Sequence, residues 1–159
     1  MSETEIRVES QTLKKFVKAL FTEAGMLEDD AGFFAESLVK TDLWGIGSHG
    51  VLRVPIYVKR LRTGAMNPQP RIKTVKSAQG LEVLDGEHGP GVLVGREAMN
   101  RAIEIAETSS VAAVGAIRSN HFGAAGIYAR MAAEKGMIGI CMANVVQNMV
   151  VPGASRPVV

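Results

Sequence analysis

A histidine that could take part in proton transfer lies at position 121, within the segment Arg118–Gly123. This segment follows the carboxyl end of a predicted strand and opens a predicted helix, and open parallel sheets bind ligands at such strand ends. The partial positive charge of a helix N-terminus would lower the pKa of the imidazole and favour a neutral ring that accepts a proton from a hydroxyl group. A histidine that only caps the helix fits the same spacing, so both interpretations stay open at this point.

A second group of polar side chains lies near the end of the first third of the chain. His49 and Arg53 are four residues apart and would share one face of a helix, and Tyr57 follows after another four residues. An arginine can hold a carboxylate through two parallel hydrogen bonds while a neighbouring histidine supplies a proton. The spacing therefore predicts a site for a carboxylate-bearing substrate. The alternative is structural: Arg53 pairs with Asp42 or Glu36, and His49 only completes a helix start.

Three helices are predicted to position this second group, over about residues 10–24, 29–44 and 48–62. In the first, apolar residues recur at helical spacing, with Ser10 as the expected N-cap and Gly25 as the end. Two glycines end the second helix near Trp44, and Ser48 is the expected cap of the third. Pro55 lies inside that third segment, where the helix either kinks or begins.

The pattern changes after the turn-rich segment Gly64–Pro70. The predicted order is strand, helix, strand, helix, strand, with the three strands at Leu81–Leu84, Val111–Ile117 and Met137–Met142. The last two are continuous apolar runs, which are typical of strands buried in a parallel sheet. The sequence thus predicts an α/β protein with a helical region over residues 1–70 and an incomplete α/β domain over residues 71–159.

Three ordered segments resemble the signatures of a known family. They are Asp42–Gly50 followed by Arg53 and Tyr57, then Ser119–Gly123, and then Gly139–Asn144 continuing to Val151–Gly153. In this order they resemble the malate/L-lactate/sulfolactate dehydrogenases, a family that includes ureidoglycolate dehydrogenase and diketogulonate reductase. The resemblance covers nearly the whole chain from about Val8. One segment alone would be a weak signal, whereas three in order are a specific one.

The resemblance implies an oxidoreductase that transfers a hydride between NAD or NADP and a small 2-hydroxy or 2-oxo acid of the malate, lactate, sulfolactate or ureidoglycolate type. It also implies a non-Rossmann nicotinamide-binding domain with a helical partner domain, in a homodimer. The acid–base residue is implied to be His121 or His49, and we rank His121 first. Arg53 is implied to hold the substrate carboxylate, with Ser48 and Tyr57 beside it.

On the cofactor side the resemblance implies Gly123, Asn144, Val145 and Pro152. Gly123 has no side chain and would let a flat ring approach the backbone. Val145 stands where some members have a serine that touches the cofactor, so that side-chain contact is lost or replaced by backbone. The stretch Gly89–Gly95 also resembles the glycine-rich motif that binds dinucleotides, but its third glycine comes one residue later than that motif requires. We expect those glycines to serve turns and close helix–sheet packing.

Composition excludes several other classes of function. The net charge of +2 is too small to indicate nucleic-acid binding. The basic stretch Lys59–Lys76 lacks interleaved aromatic residues, and we expect it to cover helix faces and linkers, where a positive rim would attract anionic substrates. No apolar run reaches the roughly 18 residues of a membrane span. The three histidines are too far apart in sequence to predict a metal site. The lone Cys141 cannot form an internal disulfide, which favours a reducing cytoplasm.

Chain length leaves a second function open. Members of the family are roughly twice as long, and these 159 residues stop before most of the implied cofactor-binding sheet. The alternative is a truncated or split family member that is inactive on its own and acts at most as a binding or assembly module. For the 159 residues alone we expect weak or no cofactor binding and self-association through exposed apolar surface.

Overall fold

The computed structural model describes residues 7–144, 150, 152–153 and 155. Its elements are, in chain order, the helices α1 (Ser10–Glu23), α2 (Glu28–Leu43) and α3 (Val54–Arg62), the strands β1 (Lys73–Ala78) and β2 (Leu81–Asp85), helix α4 (Gly91–Ser109), strand β3 (Ala113–Ile117) and helix α5 (Gly126–Ala133). A helical region followed by alternating strands and helices confirms the predicted α/β class. The division into two domains at residue 70 stays a prediction.

Helix α1 has the predicted extent but a different N-cap. The side chain of Glu9, not that of Ser10, accepts hydrogen bonds from the backbone amides of Gln11 and Thr12 at 2.8 and 2.5 Å. Ser10 is already helical, whereas Glu9 has the extended backbone that an N-cap residue requires. The helix ends just before Gly25, which has a φ of 98°, so the predicted glycine stop is confirmed.

The segment between α2 and α3 is not one continuous helix. It forms two short 3₁₀ turns, Gly47–His49 and Val51–Arg53, that are separated at Gly50. The prediction that Ser48 caps a helix is wrong, because no side-chain cap bond is present at this turn. Pro55 lies in the first turn of α3, where its missing N–H leaves no helical hydrogen bond unmade. The helix therefore begins at Val54, directly before this proline, which agrees with the second of the two predicted alternatives.

The three strands form one small mixed sheet in the order β1-β2-β3. Strands β1 and β2 are antiparallel and meet in a tight turn at Gly80, which has a φ of 74°. Strands β2 and β3 are parallel, with Leu81 opposite Ala113 and Asp85 opposite Ile117, and α4 forms the crossover between them. The predicted crossover is thus present, and it brings the carboxyl ends of β2 and β3 side by side.

Two expectations about this sheet are wrong. A parallel sheet was expected, but β1 pairs with β2 in the antiparallel direction. Strand β1 lies in the basic stretch that was expected to form helix faces and linkers, and all residues of β1 are exposed. Strand β3 is not buried: Val111 just before it is 76% exposed and Ile117 at its end is 49% exposed. Within the described residues β3 pairs with β2 alone, so an apolar run here does not indicate neighbours on every side.

The apolar run Met137–Met142 does not form the predicted buried strand. No strand is assigned to it, and its burial alternates along the chain. Met137 and Cys141 pack against the cluster around α5, whereas Ile138, Ile140 and Met142 are 94%, 74% and 84% exposed. The segment has no partner strand in the described part of the chain, so only the face toward α5 is covered.

One apolar core joins the helical region to α4. The rings of Phe21 and Phe34 stack at 4.5 Å, and the ring of Phe34 lies 4.9 Å from that of Tyr57 in α3. Val92 and Leu93 from the first turn of α4 belong to the same core and are each 1% exposed. Apolar packing therefore fixes α3 relative to α4, which begins beside the end of the sheet. Within the described ranges, no helix combines the length and the apolar character that a membrane span needs.

We expect the 159-residue chain to self-associate through the exposed side chains of Ile138, Ile140 and Met142. Changing Ile138 and Ile140 to lysine should shift the population toward monomer in sedimentation velocity, because charge opposes apolar association. The matched control is the pair Ser77→Lys and Gln79→Lys in the exposed β1–β2 hairpin, which adds the same charge elsewhere. A wild-type chain that stays monomeric at high concentration would contradict this expectation.

Candidate active site

A hydrogen bond between α3 and the loop after β3 defines the candidate site. Tyr57 is only 2% exposed, and its hydroxyl lies 2.8 Å from Nδ1 of His121. Burial raises the pKa of Tyr57, against the opposing effect of the positive charges of Arg53 and Arg60. The phenol therefore stays protonated at neutral pH and can either donate to the imidazole or accept from it.

The loop that carries His121 is held by the turn between β2 and α4. Gly91 begins α4 so close to this loop that a Cβ at this position would lie 2.1 Å from the carbonyl oxygen of Asn120. The side-chain amide of Asn120 donates to the carbonyl of His88 at 2.7 Å. Arg118 binds Asp85 at the end of β2 through Nε and Nη2, with the Nε bond at 2.8 Å. Because these contacts come from both neighbouring elements, the position of His121 is determined by the sheet end and not by its own loop alone.

The prediction that His121 lies at a helix N-terminus is wrong. Helix α5 begins at Gly126, five residues later, so the helix dipole does not act directly on the ring. The pKa of His121 is nevertheless lowered, as expected, and the main cause is burial. The charges of His49, Arg53 and Arg60 lower it further. The neutral ring therefore predominates at neutral pH, for a different physical reason from the one that the sequence indicated.

His49 lies directly beside His121. Their rings are stacked with centroids 5.5 Å apart and planes inclined by 26°. The hydroxyl of Ser48 lies 2.9 Å from Nδ1 of His49, and the backbone amide of Gly123 donates to Nδ1 of His121 at 3.3 Å. The two histidines that the sequence offered as alternative acid–base residues thus lie in one site, although they are 72 residues apart in the chain.

Arg53 does not make the ion pairs that were considered as its structural alternative. Asp42 accepts a hydrogen bond from the amide of Val51 at 2.9 Å, and Glu36 pairs with Lys14 at 2.8 Å. The Nε of Arg53 donates to the carbonyl of Ser48 at 2.7 Å, which fixes the side chain within the two 3₁₀ turns. Among the described residues, the terminal nitrogens of this guanidinium have no carboxylate partner.

Gly50 permits this arrangement of turns. A Cβ at Gly50 would lie 1.7 Å from Oδ1 of Asp42, so a side chain here would displace the carboxylate that holds Val51. The tight packing explains why a glycine occupies the boundary between the turn with His49 and the turn with Arg53. A helix with both residues on one continuous face, as predicted, would need a different course of the chain here.

The residues implied for cofactor binding differ in burial. Gly123 is buried two residues after His121 and has a φ of 74°, whereas Asn144 and Pro152 are exposed. Val145 lies outside the described residues. The glycines of the stretch 89–95 pack closely instead of leaving open backbone: a Cβ at Gly95 would lie 2.7 Å from the ring of Tyr128. The expectation that these glycines serve close packing is confirmed.

Sequence reasoning did not single out Arg60. It treated this residue as one of several cations in a solvated stretch, but the charge of Arg60 acts on both Tyr57 and His121. The helical period could have indicated it, because Arg60 follows Arg53 by seven residues and Tyr57 by three, and residues at these spacings lie on the same side of a helix.

Comparison with known proteins agrees with the resemblance drawn from the three motifs. The sequence profile described as malate/L-lactate dehydrogenase matches residues 8–159. The chain belongs to the malate/L-lactate dehydrogenase family. It is 43% identical over 144 residues to a malate dehydrogenase of Pyrococcus abyssi, an alignment that covers 91% of this chain and 40% of the relative. It is 40% identical over 131 residues to an L-sulfolactate dehydrogenase of Methanocaldococcus jannaschii, covering 82% and 38%.

Solved structures of this family share the fold. The malate dehydrogenase from Pyrococcus horikoshii OT3 matches with a TM-score of 0.81 at 40% identity, over 82% of this chain and 38% of that one. The sulfolactate dehydrogenase from Methanocaldococcus jannaschii matches with a TM-score of 0.79 at 37% identity, over 82% and 38%. The chain spans about two fifths of the length of the relatives that it matches.

We expect His121 to titrate below 6.5, the ordinary histidine value, in an NMR titration of its ring protons. Replacing His49 by alanine should raise the midpoint, because one source of positive charge is removed. Because the unfolded chain binds this proton more readily, His121 should also reduce folding stability as the pH falls below about 6.5. A midpoint at or above 6.5 in the wild type would contradict this account of the site.

Proposed function

We propose that this chain provides the substrate-binding and proton-transfer part of a nicotinamide-dependent dehydrogenase of small 2-hydroxy acids. The observation that supports this most directly is the hydrogen bond from Tyr57 to His121, beside His49 and Arg53. The relatives are named malate, L-sulfolactate and, in one case, NAD⁺-dependent ureidoglycolate dehydrogenase. The substrates in these names share a hydroxyl group on the carbon next to a carboxylate. A histidine can exchange a proton with such a hydroxyl group, and an arginine can bind the carboxylate.

Arg53 is proposed to hold the substrate carboxylate. Its Nε is already bound to the Ser48 carbonyl, so the guanidinium is oriented before substrate arrives and its terminal nitrogens can form two parallel hydrogen bonds. The hydroxyl of Ser48 and that of Tyr57 are further donors near this anion. A carboxylate placed here would also offset the positive charge that Arg53 imposes on His121.

His121 is proposed as the acid–base residue, with His49 as the second candidate. When the ring carries its proton on Nδ1, the weak bond from the Gly123 amide is lost, the hydroxyl of Tyr57 accepts from Nδ1, and Nε2 is free to take a proton from a substrate hydroxyl. The same hydroxyl can donate to Nδ1 when the proton is on Nε2. Tyr57 therefore supports both protonation patterns of the ring, as a group that gains and loses a proton in each cycle requires.

NAD or NADP, when bound, would supply or accept the hydride. Gly123 fits a place beside such a group, because its backbone lacks a side chain next to His121 and its φ of 74° suits glycine. Asn144 offers an exposed side-chain amide, and from the family resemblance we assign a cofactor contact to Val145 and Pro152 as well.

The alternative function is that of a binding or assembly module without activity of its own. The exposed apolar side chains of Ile138, Ile140 and Met142 favour it, because such surface associates with a partner. A titration of NADH and NADPH against the purified 159-residue chain separates the two functions. No binding to the chain alone, with activity in a longer protein that contains it, would mean that these residues need a further part to act.

The acid–base proposal predicts that His121→Ala lowers turnover, in an active protein that contains these residues, by about 10²- to 10⁴-fold, the usual contribution of a general acid–base residue. His49→Ala should act mainly on KM. The measurement is steady-state kinetics with 2-hydroxy and 2-oxo acids, with Met137→Leu near α5 as a control for general damage. If His49→Ala lost more turnover while His121→Ala was nearly normal, the two roles would be reversed.

The carboxylate proposal predicts that Arg53→Ala raises KM by about 10- to 100-fold, because a charged hydrogen bond contributes about 1.5–3 kcal/mol. Arg53→Lys should restore only part of the affinity, since an ammonium group cannot form two parallel bonds with a carboxylate. A wild-type KM in Arg53→Lys would show that the anion is bound elsewhere.

A further inference from the structure

The 3₁₀ turn that carries Arg53 begins without a cap from its own sequence. Its N-cap residue is Gly50, which has no side chain that could accept a hydrogen bond, and Val51 is the first residue of the turn. The first amides of a helical turn have no acceptor within the turn. Asp42, nine residues earlier in α2, supplies the acceptor instead: its Oδ2 lies 2.9 Å from the backbone nitrogen of Val51.

The carboxylate of Asp42 also occupies the space in which a side chain at position 50 would lie. A Cβ at Gly50 would lie 1.7 Å from Oδ1 of Asp42, and a Cβ at Gly47 would lie 3.9 Å from the same atom. The carboxylate therefore packs against the junction of the two turns. A cap from position 50 would act within the turn alone, whereas Asp42 ties the turn to α2, whose residues Phe34 and Leu38 are buried in the core.

The orientation of Arg53 depends on this junction. The Nε of Arg53 donates to the carbonyl of Ser48 at 2.7 Å, so this bond runs from the second turn back to the first. The two turns meet at Gly50, whose φ of −91° and ψ of −149° lie outside the helical region. Rotation of the chain at Gly50 would separate the guanidinium from the Ser48 carbonyl. The hydrogen bond from Val51 to Asp42 opposes that rotation.

We propose that Asp42 is a positioning residue that holds the guanidinium of Arg53 in the orientation that binds the substrate carboxylate. It acts through the backbone of Val51 and not as an ion-pair partner, since Arg53 has no carboxylate partner among the described residues. An ion pair would compete with the substrate for the guanidinium, whereas this contact leaves its terminal nitrogens available. The inference rests on the proposed function of Arg53 and adds the residue that orients it.

Two conservative variants separate the shape of Asp42 from its charge. Asp42→Asn keeps a side-chain oxygen within reach of the Val51 amide, whereas Asp42→Glu keeps the charge but adds a methylene group where Gly50 leaves no space. In an active protein that contains these residues, Asp42→Ala and Asp42→Glu should raise KM for oxaloacetate by about tenfold, and Asp42→Asn should stay within about threefold of the wild type. Turnover should change by less than about threefold in all three variants, because the loop of His121 is held by other contacts.

A double variant tests whether Asp42 acts through Arg53. In an Arg53→Ala background, Asp42→Ala should cause no further rise in KM, because the two residues contribute to one interaction. The matched control is Ser37→Ala, which removes a hydrogen bond to the Phe33 carbonyl within α2 and should leave KM unchanged. An additive effect in the double variant, an equal loss in Ser37→Ala, or a loss in Asp42→Asn as large as in Asp42→Ala would overturn the proposal.

A second test does not depend on turnover. The Nε proton of Arg53 can be followed by NMR in the 159-residue chain, and its bond to the Ser48 carbonyl should slow its exchange with water. Asp42→Ala should speed this exchange by about tenfold or more, and Asp42→Asn should not. Unchanged exchange in Asp42→Ala would overturn the proposal. If exchange responds as expected but Arg53→Ala leaves KM for oxaloacetate unchanged, the proposed carboxylate role of Arg53 fails and its positioning by Asp42 stands.

Discussion

The hydrogen bond between Tyr57 and His121 links two regions of the chain that are 64 residues apart. Tyr57 can make it only because α3 is packed into the helical core against Phe34, and His121 only because its loop is held at the end of the sheet. Other contacts therefore hold both side chains in place, and forming the hydrogen bond costs little additional conformational entropy. Displacement of either element would separate the ring of His121 from Tyr57 and from the residues around Arg53.

The second property of the site is its positive charge, which no carboxylate among the described residues balances at His121. In the described residues, the charges that lower the pKa of His121 come from His49, Arg53 and Arg60, and no carboxylate opposes them. The stacked ring of His49, with its centroid 5.5 Å from that of His121, adds charge repulsion against a proton on His121. An anionic substrate would relieve this repulsion, and the same electrostatics that keep His121 neutral would strengthen anion binding.

The sequence predicted α1 and α2, the crossover from β2 to β3 and the family correctly, because each depends on local pattern or ordered motifs. Helical spacing identified α1 and α2, and Pro55 marked the start of α3. It also selected both histidines, although spacing alone left a structural explanation for each. Arg60 was missed because a charge in a basic stretch is usually solvated, and only its position relative to Tyr57 distinguishes it.

What the sequence by itself determined is the set of residue types that can do this chemistry and the elements that carry them. Tertiary structure decided which of these residues meet. It placed His49 beside His121, and it left Arg53 without an ion pair to Asp42 or Glu36. It also showed that burial and nearby cations, and not a helix terminus, lower the pKa of His121. The burial of a side chain and the charges around it depend on neighbours from distant parts of the chain. Local periodicity in the sequence does not show which residues those neighbours are.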